Sequence, residues 1–206
     1  MLTGDDDYSD IDTQALKPIA AWIPDEQKEH VRLVIGIEID EPEIMWGDWV
    51  DNFVFCQSTM MSKPGHPIME AMVENMIQQL NAKAAEQYTD ISSISFSFQD
   101  VLRISGPKAF SDAVFAYLST TTGSEITRGN FTRLKQPKRV GDVLVMPVNA
   151  FVPGQKHSNA GSIDDPTALV QHLGLGSWRK EHVFDKEIDA KKKADEDKKK
   201  DDERKK

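Results

Sequence analysis

The run Val31-Arg32-Leu33-Val34-Ile35-Gly36-Ile37-Glu38-Ile39-Asp40 constrains the fold more than any other stretch of the chain. It is rich in β-branched residues and almost continuously apolar, the pattern of a strand buried on both faces inside a sheet. Glu38 interrupts it, and a carboxylate among close apolar neighbours must reach the mouth of the sheet or find a partner. A second good strand is expected over Val140-Gly141-Asp142-Val143-Leu144-Val145-Met146-Pro147-Val148. Apolar positions at helical spacing predict a helix over 68–80 and another beginning at Phe110 and running to Leu118, with Ser111 as its cap. In chain order these are a strand, two helices and a strand, and the fold class expected is α/β. Trp46, Trp49 and Phe53 also repeat at helical spacing and read as core. Residues 81–100 read as a linker or surface hairpin, and 166–173 as a short helical turn followed by Gly174.

Charge narrows the function classes. The chain holds 25 Lys and Arg against 34 Asp and Glu. From Asp185 onward, ten basic and nine acidic residues alternate in blocks, leaving 15 against 25 in the body. A body this acidic does not offer the clustered cations of a nucleic-acid groove, so no nucleic-acid partner is expected. It can hold a polyanion where a metal ion screens the charge. Residues 1–184 are expected to form one folded domain and 185–206 a disordered or solitary helical tail, because that tail has almost nothing apolar to bury. Cys56 is the one cysteine, so no internal disulfide exists. The sequence shows no apolar run long enough to span a membrane and no signal peptide.

Three places carry side chains that chemistry can use. Asp10-Ile11-Asp12 sets two carboxylates around one apolar residue. If extended, the triplet points both acids to one side and buries Ile11, and two hard oxygen donors suit a divalent cation that also binds phosphate. A solvated acidic turn is the competing reading, since Asp5, Asp6 and Asp7 precede it. His66 stands in a turn between Pro64 and Pro67, where a structural hydrogen bond competes with a base role. His172 precedes Ser177-Trp178, in which a hydroxyl and a donor-only indole follow Gly176 in a loop suited to close on a diphosphate, with a surface helix end carrying an aromatic plug as the competing reading.

These pieces recur in an order that resembles a known family. Asp10-Ile11-Asp12-Thr13 with Leu16-Lys17-Pro18 is followed by Gly36-Ile37-Glu38, Phe55-Cys56-Gln57 and Lys63-Pro64-Gly65-His66-Pro67. Ser105-Gly106-Pro107 before Asp112-Ala113-Val114, Arg139-Val140-Gly141-Asp142-Val143-Leu144-Val145 and Gly176-Ser177-Trp178 complete the set. Over residues 8–180 the chain resembles family 32 glycosyltransferases, in particular fungal initiation-specific α-1,6-mannosyltransferases. The resemblance implies a partial GT-A type, Rossmann-like fold whose N-terminal nucleotide-binding half is largely missing. It implies transfer of mannose from GDP-mannose, with retention and an α-1,6 linkage, to a mannose of a glycoprotein N-glycan core. It implies Mn²⁺ or Mg²⁺, and a type II membrane protein of the Golgi, with other subunits of a Golgi mannosyltransferase complex as partners. By the same resemblance Asp10 lies near ribose or sugar and Asp12 takes the metal. His172, Ser177 and Trp178 complete the metal and phosphate site, and Glu38 orients donor or acceptor hydroxyls. His66 and Asp112 are further catalytic candidates. The alternative is an inactive truncated remnant or a scaffold subunit.

Overall fold

The computed structural model describes residues 7–42, 51–155, 158 and 160–175. In chain order the elements are β1 (Asp7–Ser9), β2 (Thr13–Ala15), β3 (Leu33–Asp40), β4 (Phe53–Ser62), α1 (Pro67–Glu86), α2 (Phe98–Ile104), α3 (Pro107–Thr122), β5 (Lys138–Val140), β6 (Val143–Met146), α4 (Val148–Phe151) and β7 (Val170–His172). The α/β class expected from sequence is what forms. Five strands make one sheet in the order β1-β4-β3-β6-β5, and β2 and β7 make a separate antiparallel ribbon. Only β3 and β6 are parallel within the larger sheet.

β3 is central, as its apolar run requires. Leu33, Ile35 and Ile37 point to one face, where Ile68 of α1 and Phe110, Val114 and Leu118 of α3 cover them. Val34 points to the other, with Cys56, Trp22, Phe151, Val152 and Val170. Gly36 shares that second face, and a Cβ built on it lies 2.7 Å from Phe151 Cδ2. A side chain there has no room, which is why an otherwise branched strand carries a glycine.

Several local expectations need correction. Phe53 lies in a ten-residue strand and not on a helix; its ring packs against Phe55 and Phe115. Trp46 and Trp49, which suggested the helical period, lie outside the described residues. The span 81–100 is mostly helical: α1 runs on to Glu86, and α2 opens with a capping box in which Ser97 and Asp100 satisfy each other's backbone amides. α3 starts at Pro107, with Gly106 as its N-cap, so Ser111 lies a turn inside. Gly141, at φ 58°, divides the expected second strand into the β5–β6 hairpin. Residues 170–172 are strand, because β2 offers them a partner that a local reading does not see.

The chain divides into units Met1–Leu173 and Gly174–Lys206. The expected boundary after 184 and the charged tail lie outside the described residues. Among the described residues, no helix is long and apolar enough to cross a membrane.

Candidate metal centre

β1 ends at Ser9, and the chain reverses through Asp10-Ile11-Asp12 into β2. The reversal is fixed at Asp10. Its amide donates to Ser58 O of β4 at 2.8 Å, and its carbonyl accepts from Thr13 N at 3.2 Å and Thr13 Oγ1 at 2.7 Å. Ile11 sits at the apex with 104% relative exposure, so the extended triplet with a buried isoleucine does not form. The carboxylates meet because the chain turns, and not because side chains alternate.

The third member comes from the other end of the sequence. Thr13 of β2 pairs with His172 of β7, and Leu173 N donates to Asp12 O at 2.8 Å. Asp10, Asp12 and His172 each present a ligand atom, and these atoms lie within 4.8 Å of one another. His172 Nε2 is 3.4 Å from Asp12 Oδ1. All three side chains are half-buried, a setting where carboxylates are less well screened than on open surface. Two oxygens and one imidazole nitrogen fit a divalent cation.

Neighbours that the sequence reading did not single out hold this cluster. Tyr8 Oη donates to Asp10 Oδ1 at 2.8 Å. That bond, with burial and the carboxylate's charge, pushes the Tyr8 phenol above its ordinary value. Gln155 Nε2 donates to His172 O at 3.0 Å. Gln155 Oε1 and His172 Nδ1 are both buried without a hydrogen-bond partner among the described residues. Tyr8 is visible in sequence as the aromatic two residues before the triplet. Gln155 has no local signal, since only the fold brings it to β7.

Glu38 is buried at a bulge, where Ile37 pairs with Phe55 and Ile39 already with Val54. Bulges re-aim side chains. Burial, and then the nearby charge of Glu38, push the Cys56 thiol up to about 12. Cys56 Sγ in turn lies 3.1 Å from Ser58 Oγ, and Ser58 O receives the Asp10 amide. Glu38 is not among the converging ligand atoms.

The structure does not bring His66 or Asp112 into the cluster. His66 Nδ1 accepts from Ile68 N at 3.4 Å and caps α1, while its Nε2 lies 3.6 Å from Asp142 Oδ2. Asp142 also accepts from Tyr117 Oη at 3.1 Å. Asp112 is on the outer side of α3, paired with Lys108. Ser177 and Trp178 lie outside the described residues.

The chain is similar to curated proteins of fungi. It is 39% identical over 176 residues to the initiation-specific alpha-1,6-mannosyltransferase of Schizosaccharomyces pombe, covering 84% of this chain and 43% of that protein. It is 32% identical over 193 residues to the protein of the same name in Candida albicans, covering 84% and 50%. It is 26% identical over 181 residues to the putative glycosyltransferase HOC1 of Saccharomyces cerevisiae, covering 84% and 44%. The chain thus spans about half the length of the curated relatives it matches. No family model and no solved structure matches it. On that similarity the chain belongs to the glycosyltransferase family that includes the fungal initiation-specific α-1,6-mannosyltransferases.

Proposed function

We propose that the chain carries the metal and diphosphate part of a retaining mannosyltransferase site of GT-A type. Its donor is GDP-mannose, and its acceptor is a mannose of a glycoprotein N-glycan core, joined α-1,6. The observation that carries this reading is the convergence of Asp10, Asp12 and His172 from opposite ends of the chain. The β2–β7 pairing sets a histidine beside two carboxylates, a mixed donor set that a divalent cation can use. The donor set fits the proposed ion, and a nitrogen ligand among oxygens favours Mn²⁺ over Mg²⁺.

When bound, the cation neutralises charge that builds on the departing diphosphate. The chain's own residues supply the rest. Asp10 and Asp12 bring the negative charge that draws a cation. Tyr8 holds Asp10 at its carboxylate, and Ser58 and Thr13 hold it at its backbone. The β2–β7 pairing keeps His172 opposite Asp12 before any ligand arrives. Such preorganisation removes the cost of assembling charged groups at the moment of reaction. Glu38 belongs to this reading as a buried group that orients sugar hydroxyls. The names of the relatives support mannosyl transfer; a Golgi location is part of the same proposal.

The test is transfer from GDP-mannose to an α-mannoside by the purified chain, with and without Mn²⁺. Metal-dependent transfer of mannose, reduced at least about 100-fold in Asp12→Ala, is expected, because the substitution removes a direct ligand. Transfer that ignores Mn²⁺, or no transfer combined with no saturable binding of GDP-mannose by calorimetry, overturns the reading.

A further inference from the structure

His172 and Gln155 each bury one polar atom that has no partner among the described residues. The two atoms are Nδ1 of the imidazole and Oε1 of the amide. They belong to residues already joined, since Gln155 Nε2 donates to the main-chain oxygen of His172 at 3.0 Å. Buried polar atoms without partners are uncommon, and each calls for an explanation.

The chemistry of a histidine ligand supplies one. Nε2 is the ring nitrogen that faces the acids, 3.4 Å from Asp12 Oδ1. If Nε2 turns its lone pair to a cation, the single proton of the neutral ring must sit on Nδ1. A buried Nδ1–H needs an acceptor, and metal-bound histidines characteristically find one in a carbonyl or carboxylate. Gln155 Oε1 is an acceptor with no donor among the described residues, on the side chain that already touches His172. We propose that Gln155 is a positioning residue for His172, with its Nε2 on the main-chain carbonyl and its Oε1 taking the ring Nδ1–H when a divalent cation occupies Nε2. One side chain then sets both the place of the histidine backbone and the tautomer of its ring. The inference rests on the metal reading given above.

Two measurements on the full chain test it. In the first, Mn²⁺ binding is followed by calorimetry in the wild type and in Gln155→Met, which keeps length and flexibility but removes both polar arms. A weakening of about 10–100-fold is expected, the usual consequence of losing the outer partner of a metal-ligating histidine. The melting temperature of the metal-free variant reports any separate loss of stability. In the second, nitrogen-15 NMR of histidine-labelled wild type with Zn²⁺ as a diamagnetic probe reads the tautomer, and His172→Gln assigns the signal. A slowly exchanging Nδ1–H on His172 is expected in the wild type, and its exchange should quicken in Gln155→Met. A merely structural glutamine lowers stability but leaves tautomer and exchange alone. Wild-type binding with an Nε2–H tautomer overturns the proposal, as does a Gln155→Met affinity within twofold of wild type. No Mn²⁺ binding by the wild type overturns the metal reading itself, and this proposal with it. The tautomer is read on the wild type and assigned with His172→Gln, so a poorly folding Gln155→Met does not shelter the proposal.

Discussion

Ile11 lies between two acids, and its exposure shows how they work as a pair. The side chain at the apex touches no core, so it contributes neither packing nor aim. Ile11→Ser should leave stability within about 0.5 kcal/mol of wild type, as surface changes away from special contacts do. Thermal unfolding checks this, and a loss of several kcal/mol contradicts the turn. Gly36 behaves in the opposite way. A Cβ there meets Phe151 at 2.7 Å in a packed layer, so Gly36→Ala should cost about 1–3 kcal/mol, the usual range for overpacking. Urea titration reads the shift. His66 is a third case. Burial, followed by Arg32, lowers its imidazole below the ordinary value, against the opposing pull of Asp142. The unfolded chain therefore binds the proton more readily than the folded one. This contribution to stability is complete above about pH 6.5 and falls as pH drops toward the lowered folded value. Tyr117 packs on the ring with a centroid distance of 5.0 Å and shares Asp142. His66→Asn, which keeps a good helix cap, should lose less stability than wild type between about pH 7.5 and about pH 5.5. Equal losses in the two proteins contradict the assignment. At this scale the sequence was informative about residue type but not about contact. Asp10, Asp12, His66 and His172 all stood out as chemistry-bearing residues, yet nothing local distinguished the helix cap from the ligand.

Elements were legible in proportion to how local their causes are. β3 announces itself because its branched apolar run has one comfortable conformation, and α1 because its apolar positions recur every three or four residues. β7 failed that test, since His172 is in a strand only because Thr13 pairs with it across almost the whole sequence. β4 failed for another reason: it is buried on both faces, and aromatics at mixed spacing satisfy a helical period as well as an extended one. Ser111 shows what such a misreading hides. Its hydroxyl donates to Pro107 O at 2.6 Å within α3 and accepts from Phe55 N of β4 at 2.8 Å. It therefore joins helix to strand in the buried layer. Ser111→Ala should leave the Phe55 amide without an acceptor and cost about 1–3 kcal/mol. The exchange rate of that one amide, followed by NMR, should rise with it. If stability falls while Phe55 N–H stays equally protected, the bond is not the cause.

Across the whole molecule, two sheets meet at one short turn. β1 belongs to the large sheet and β2 to the ribbon, and Asp10-Ile11-Asp12 is all the chain between them. The candidate centre draws one acid from just after β1, one from just before β2 and a histidine from the end of β7. No window of the sequence contains that arrangement. The resemblance to a family brought the three residues into one hypothesis, and the ribbon register supplies the physical reason they meet. A cation held there must couple the ribbon to the sheet edge. The ribbon is two strands of three residues, and a two-stranded pair of that size is marginal alone. It should be among the first elements to open. Ligand binding stabilises only the states that bind, by about 2.7 kcal/mol at a hundredfold excess over Kd. Amides of β2 and β7 should therefore exchange at least about tenfold more slowly with saturating Mn²⁺, while those of β3 and β6, which open only with the core, change less. Asp12→Asn should remove the difference. Uniform slowing of every amide would point to general stabilisation, and no slowing in the ribbon would mean that the turn and the strands it joins do not share an ion.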